Sequence, residues 1–467
     1  MTRQQYKSSL ATHSENGVFD FFDYTITIKK YSEEEKVKFE KSITHADKKP
    51  QEEIKEQIEN RSLIKHELTH FTDLTSTNWG MEYIIRKGLV INAINKRDYE
   101  KTKQAIDVFM INASELQMHS KLIPKQDNEP LFFTKIEHAL DYSPEYGTFI
   151  WIYFKDGDSI TCSTPLSMLS VLEAHAFANE TISQLSDVEK IDDQFTKIIT
   201  RNYFIETFKA TLKDKKLSEY TSLIILTRHH FPELTHIELL KLVCASCKFS
   251  LNADDFTMSQ LANYFTHSIK NETLGENICH DMRRGASRHL ITFKVILFLY
   301  GWLHHDESNK SKKIELLKTQ PHVAILELWE ALGGIITITK PDDDWDFNGC
   351  VQRALELNTQ IDQITVSECS ILNRSALHTK TIGELSLDEI KSPNIFLQRK
   401  EAKLEIKLPN TISISAYQNI EDAYAETWDL IKQYRIHPIN KFHMTPSETY
   451  KITERMNNWN RTKIKRK

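Results

Sequence analysis

Residues 66 to 70 read His66-Glu67-Leu68-Thr69-His70. On a helix, two histidines four residues apart leave the same face and can grip one metal ion. Glu67 lies about 100° round the helix from His66, near enough to reach a water on that ion without being a ligand itself. Such a set suits metal-assisted hydrolysis, in which the ion acidifies a water and the carboxylate moves its proton. Leu63, Ile64, Leu68, Thr69 and Phe71 are uncharged, which fits a helix buried deeply enough to keep a metal site dry. No Pro or Gly occurs from Gln51 to Asp73, and Ile54, Ile58, Leu63 and Ile64 follow helical periodicity. The competing interpretation is a solvated helix carrying two incidental histidines.

With these flanks, His66, Glu67 and His70 resemble the active-site helix of zincin metallopeptidases, a resemblance that extends over about residues 1–185. It implies Zn²⁺ as the cofactor and a third protein ligand. The metzincin pattern continues with Gly three residues and His six residues after the second His. Here those positions are Asp73 and Ser76, which excludes that subgroup.

The gluzincin pattern takes a Glu from a later helix, and Glu82, Glu100, Glu115, Glu173 and Glu180 are available. Glu173 is the strongest of them. It shares a helical face with Leu169, Ala176 and Phe177, where an unpaired carboxylate would cost several kcal/mol that a metal ion offsets. Ala174, Ala176 and Ala178 keep that helix slim, and the run Glu173-Ala-His-Ala-Phe-Ala178 is similar to third-ligand helices of some intracellular zincins.

Two departures stand out. The separation of His70 from Glu173 exceeds that of compact gluzincins, and Phe177 occupies the position where some carry an acidic supporting residue. Asp73 either orients the histidines or caps the following segment, and His175, about 200° round its helix from Glu173, points elsewhere.

The resemblance therefore implies His66, His70 and Glu173 as metal ligands and Glu67 as the group assisting attack of a zinc-bound water on a peptide bond. Tyr142, Tyr146 and His138 are open alternatives for the oxyanion donor. An intracellular protease needs a narrow protein or peptide substrate, which suits a regulatory, toxin-like or phage-defence role. The same triad also supports hydrolysis of a non-peptide amide. The other class of reading is a non-catalytic helical protein- or nucleic-acid-interaction protein with an incidental or structural metal motif.

Composition bounds the setting. The chain has 467 residues, with only 12 Gly and 12 Pro, which favours a mainly helical α+β protein of two or three domains. A net charge of -5 argues against a globally basic nucleic-acid binder. The polar stretch from Met1 to Asn16 lacks the core of a secretory signal. Six scattered cysteines suit reduced thiols, and the expected location is cytoplasmic. The most apolar run, Leu290 to Leu303, contains Lys294 and is too short to span a bilayer, so no membrane partner is expected.

The expected organisation is a zincin-like domain with a small sheet over 1–185, a helical domain over 186–340, and a mixed, mainly helical region with a basic tail over 341–467. The alternation of Phe22, Tyr24, Ile26 and Ile28 with polar residues predicts a half-buried strand. Leu131 to Ile136 is a further possible strand. Thr148 to Phe154 and Ser159 to Ser163 flank an Asp-Gly turn, predicting a hairpin before the Glu173 helix.

Helices are expected over Asp98 to Leu122, Phe195 to Leu212, His236 to Phe249, Leu290 to Leu303, Val323 to Leu332 and Glu421 to Tyr434, with strands near Leu404 to Ile414. Cys244 and Cys247, with Cys279-His280, could form a second zinc site, but their helical surroundings favour core thiols. The pairs His229-His230 and His304-His305 diverge by about 100° on helices and do not share a metal. Arg461 to Lys467 forms the basic tail through which nucleic acid could be touched.

Overall fold

The computed structural model describes residues 16–412, apart from 30–32, 45–50, 123–125, 127, 144–146, 306, 335–344, 358–359, 400–401 and 407. The basic tail, the Glu421 to Tyr434 segment and Tyr146 lie outside the described residues. The chain is α+β, with most strands in its N-terminal part and a largely helical remainder.

Strands β1 (Gly17–Phe19) and β2 (Ile26–Ile28) lead into α1 (Glu33–Thr44), α2 (Gln51–Thr75), α3 (Asn78–Asn95) and α4 (Tyr99–Leu122). Next come β3 (Lys135–Ser143), β4 (Gly147–Asp156), β5 (Ser159–Leu166) and α5 (Met168–Glu189). The helices α6 (Gln194–Leu212), α7 (Ser218–His230), α8 (His236–Leu251), α9 (Asp255–Ser268), α10 (Glu272–Arg283) and α11 (Arg288–His305) follow. The last elements are α12 (Lys310–Thr319), α13 (Pro321–Ala331), α14 (Trp345–Leu357), α15 (Gln360–Ala376), β6 (Ile395–Arg399) and β7 (Ala402–Ile406).

The chain's local chemistry accounts for several boundaries. Ser167 and Ser170 form a capping box that starts α5, and Thr235 with Glu238 does the same for α8. Asp193, Asp254 and Asn271 cap α6, α9 and α10 through their side chains. The Asp-Gly turn closes the β4–β5 hairpin as expected, with Gly157 at φ 58°.

The segment expected to be one alternating strand is instead a sharp reversal. Asp20 accepts hydrogen bonds from the backbone of Phe22 and Asp23, and Tyr24 takes a positive φ of 61°. This folds β1 back antiparallel onto β2. Phe19 to Ile28 are all buried, so the alternation in type does not correspond to a wet face. Leu131 to Thr134 precede β3, which begins at Lys135.

Two sheets result, a four-stranded one ordered β1-β2-β6-β7 and a three-stranded antiparallel one ordered β3-β4-β5. In the first, β2 pairs in parallel with β6, so chain ends separated by most of the sequence share a sheet. One core joins Phe19, Ile64, Leu68 and Phe71 to Phe347, Ile395 and Ile406, while a second lies beneath β4, β5 and the helices from α5 to α13. No helix among the described residues is long and apolar enough to cross a membrane.

The junction of α2 with α3 is tight: a methyl group on Gly80 would overlap the Leu74 carbonyl. Gly80→Ala should therefore destabilise the fold by about 3 kcal/mol. Gly301→Ala, exposed within α11 with open space around it, should instead stabilise it by about 1 kcal/mol. Paired denaturant titrations of the two variants test this contrast, and equal midpoints would contradict it.

Candidate metal centre

Helix α2 carries His66, Glu67 and His70 on a segment fixed by Ile64, Leu68 and Phe71, all fully buried. Glu173 sits in the second turn of α5, whose Ala174, Ala176 and Ala178 are also fully buried. Of these, Ala174 and Ala178 pack in the second core, on the far side of α5 from α2. The four groups are nearly sealed, with exposures of 4 % for His66, 0 % for Glu67 and His70, and 1 % for Glu173.

Glu173 Oε2 stands 3.5 Å from His66 Nε2 and 3.5 Å from His70 Nε2. One donor atom from each residue falls within 4.8 Å of the others. None of these three atoms has a hydrogen-bond partner, although all are buried. Ligand atoms about 2.0–2.1 Å from a tetrahedral zinc lie roughly 3.3–3.4 Å apart, so the spacing fits a shared ion far better than hydrogen bonding. The donor set, two imidazoles and a carboxylate, is one that zinc takes with a position left open.

Without an ion, the cluster satisfies itself by charge. Burial works to raise the Glu173 pKa, but His70 and His66 outweigh it and hold the carboxyl at about 2. Burial likewise opposes protonation of His66, yet Glu173 and Glu180 hold its pKa well above the usual value. A metal ion must therefore displace a proton from the cluster.

Glu180 is the residue that orients His66. Two turns beyond Glu173 on α5, its Oε2 lies 2.9 Å from His66 Nδ1, and Gln184 donates to its other oxygen at 3.4 Å. Sequence reasoning ranked Glu180 only among the possible ligands. The spacing of seven residues from Glu173 was the signal that placed it on the same face.

Asp73, expected to orient the histidines or to cap a segment, does neither with its side chain. Its carboxylate meets His175 Nδ1, with both oxygens at 3.0 Å, and His175 points away from the Glu173 carboxylate as anticipated. Helix α2 runs past Asp73 to Thr75, and the Asp73 backbone carbonyl accepts a hydrogen bond from Thr77 Oγ1 at 2.5 Å.

Glu67 is buried with neither carboxylate oxygen hydrogen-bonded. Burial pushes its pKa up to about 7 against the pull of His66 and His70. The backbone of β1 lies directly over it, since a methyl on Gly17 would overlap the Glu67 carboxylate. Phe19 stacks on the His70 ring at 6.3 Å, and Phe21 meets the same ring edge-on at 6.0 Å. The sheet in contact with the motif helix is thus the one containing β1, not the β3–β5 sheet that precedes Glu173.

Of the expected oxyanion donors, His138 and Tyr142 lie on β3, in the other sheet. His138 packs on Phe293, and Tyr142 senses Asp281 and Arg284. Tyr220, at the start of α7, was missed. It is buried, and desolvation with the nearby charges of Glu173, Glu219, Glu67 and Glu180 pushes its phenol well above the ordinary value. Nothing local in Ser218-Glu-Tyr-Thr221 announces this, because its burial comes from the packing of α7 against α5.

The remaining glutamates serve other ends. Glu100 is exposed at the start of α4. Glu82 pairs with Arg288 at 2.5 Å, and Glu115 accepts from the backbone of Ser287 at 2.5 Å, which ties α3 and α4 to the turn before α11. Cys244 and Cys247 are buried thiols on α8, and Cys247 Sγ lies 3.7 Å from the Val171 carbonyl.

No family model matches the chain, and neither a curated protein nor a solved structure matches it. The case for function therefore rests on the geometry of the cluster itself.

Glu180→Gln should weaken zinc affinity about 10–100-fold by loosening His66, as a competition titration against a chromophoric chelator would show. Unchanged affinity would remove Glu180 from the support of the site. A separate pH effect follows from Glu115, which burial pushes up to about 8 from an ordinary carboxylate value. Its contribution to stability is complete below the unfolded pKa near 4.5 and is lost as pH rises through about 8. Glu115→Gln should accordingly flatten the decline in melting temperature between about pH 5 and pH 9; an unchanged decline would refute this.

Proposed function

We propose that this chain is a zinc-dependent hydrolase of the metallopeptidase class, acting on a peptide bond in a specific protein or peptide substrate. The observation that supports this most strongly is the convergence of His66 Nε2, His70 Nε2 and Glu173 Oε2, buried and without hydrogen bonds, at ion-sharing distance. His66, His70 and Glu173 would hold the metal, which when bound supplies a Lewis acid for water and for the scissile carbonyl.

Glu67 removes the proton from the attacking water and returns it to the leaving amine. A carboxylate with neither oxygen engaged in a hydrogen bond is free to make both transfers. Tyr220, buried on α7, is proposed as the donor to the developing oxyanion. Glu180 keeps His66 in the tautomer whose Nε2 faces Glu173 and His70. Among the described strands β1 lies at the edge of its sheet directly over Glu67, so it is the element that must yield for a peptide to enter. The near-complete burial of the cluster supports a narrow substrate range over general digestion. The setting expected for such a restrained enzyme is the cell interior.

Elemental analysis of the purified chain should find about one zinc, lost in His66→Ala and Glu173→Ala and kept in Glu67→Gln. In peptide-cleavage assays Glu67→Gln should be at least about a hundredfold slower than the unmodified chain. No zinc after reconstitution would overturn the reading, and full zinc in Glu173→Ala would move the third ligand to another residue.

A further inference from the structure

One turn beyond His70, the Asp73–His175 pair forms part of the wall of a cavity of about 250 Å³. The cavity is bounded by the end of α2, by α5, α8 and α13, and by α15 with the segment that follows it. Its wall combines an apolar surface, including Phe249, Ile325 and Leu326, with a concentration of basic groups. This chemistry belongs to no step of the hydrolysis above.

Among the described residues, most of the charges are paired. Lys241 is paired with Glu384 at 2.5 Å, Lys380 with Glu389 at 3.2 Å, and His175 with Asp73 at 3.0 Å. Lys248 differs, because its ammonium donates to the carbonyls of Leu377 and His378 and to no carboxylate among the described residues. An ammonium has three donors, so one remains after these two bonds. Arg374, on the same wall, donates to the Ser76 carbonyl at 3.0 Å and to Asn252 Oδ1 at 2.6 Å, and lies over the Phe347 ring.

These groups also oppose one another. Burial, and then the charge of Arg374, lowers the Lys248 pKa to about 8. Burial followed by Lys248 pushes both His322 and His378 below the ordinary histidine value. A cavity that crowds like charges against one ammonium bonded only to neutral oxygens has the potential an anion would relieve.

We propose that this cavity is a binding site for a small phosphorylated molecule with a flat or apolar body, such as a nucleoside monophosphate. Lys248 and Arg374 face the phosphate, His322 supplies a donor at the mouth, and Phe249 with Ile325 covers the base. The site is separate from the metal ligands, so the proposal does not depend on zinc or on peptidase activity.

The test is calorimetric titration of the full chain, treated with a chelator, with AMP and with adenosine as probes. Saturable binding of AMP with at least tenfold weaker binding of adenosine is expected. Lys248→Gln should weaken AMP by about tenfold or more, the usual effect of losing one charge-assisted hydrogen bond. His322 is exposed, so His322→Glu should leave the fold intact while its carboxylate at the mouth weakens AMP severalfold; this arm stands even if Lys248→Gln does not fold. The absence of AMP binding, equal affinity for adenosine, or an AMP affinity untouched by His322→Glu would each overturn the proposal.

Discussion

The constraint on which the structure depends is the burial of three hydrogen-bond-capable atoms that face one another instead of conventional partners. His66 Nε2, His70 Nε2 and Glu173 Oε2 are shielded from water and lack hydrogen bonds. Leaving such groups in an apolar interior costs about 1–3 kcal/mol each, and more where one is charged. That cost must be met by mutual charge or by an ion, and either solution requires α2 and α5 to sit at one fixed separation. The capping box at Ser167 fixes the turn from which Glu173 projects, and Ala176, buried three residues on, leaves room beside it.

Residues far along the chain hold that separation. Lys65, beside His66, donates to the Gly383 carbonyl at 3.0 Å, and the Gly383 backbone N–H donates to Asn179 Oδ1 on α5 at 3.0 Å. One residue, Gly383, therefore bridges the two helices that carry the cluster. A side chain at Gly383 would press into Asn179 and Ile182, so glycine is what allows the bridge to lie flat on α5. Arg374 closes the end of α2 through the Ser76 carbonyl, and β6 completes the sheet whose β1 covers Glu67. The late part of the chain thus supports the motif helix structurally even though it contributes none of the clustered donors.

Much of the cluster was legible because its information is local. The spacing of His66 and His70 states a shared face, and a glutamate within a run of alanines and leucines states a buried carboxylate in need of a partner. The hairpin was legible for the same reason, since Asp156-Gly157 specifies its own turn. What escaped depends on contacts between distant elements. The reversal at Asp20 to Tyr24 is set by side-chain-to-backbone bonds that outweigh an alternating pattern. Asp73 faces His175 because α5 offers it an imidazole, and Tyr220 is buried through the packing of α7 on α5. Pairing of β2 with β6 is invisible to any local reading, because the register is set by a strand that the chain supplies at its far end.

Burial also bears on how such a cluster could be used. A scissile carbonyl must come within bonding distance of groups that are at most 4 % exposed, so some covering element has to yield. Helices α2 and α5 are poor candidates, being bridged by Gly383 and embedded in both cores. Strand β1 is different: three residues long and at the edge of its sheet among the described strands, it touches Glu67 through a glycine and His70 through Phe19. Displacing it would expose Glu67 and the His70 ring together while leaving the spacing of the clustered donors intact. In the proposed hydrolase, the strand that shields Glu67 would then also set when a peptide reaches it, a physical basis for restraint.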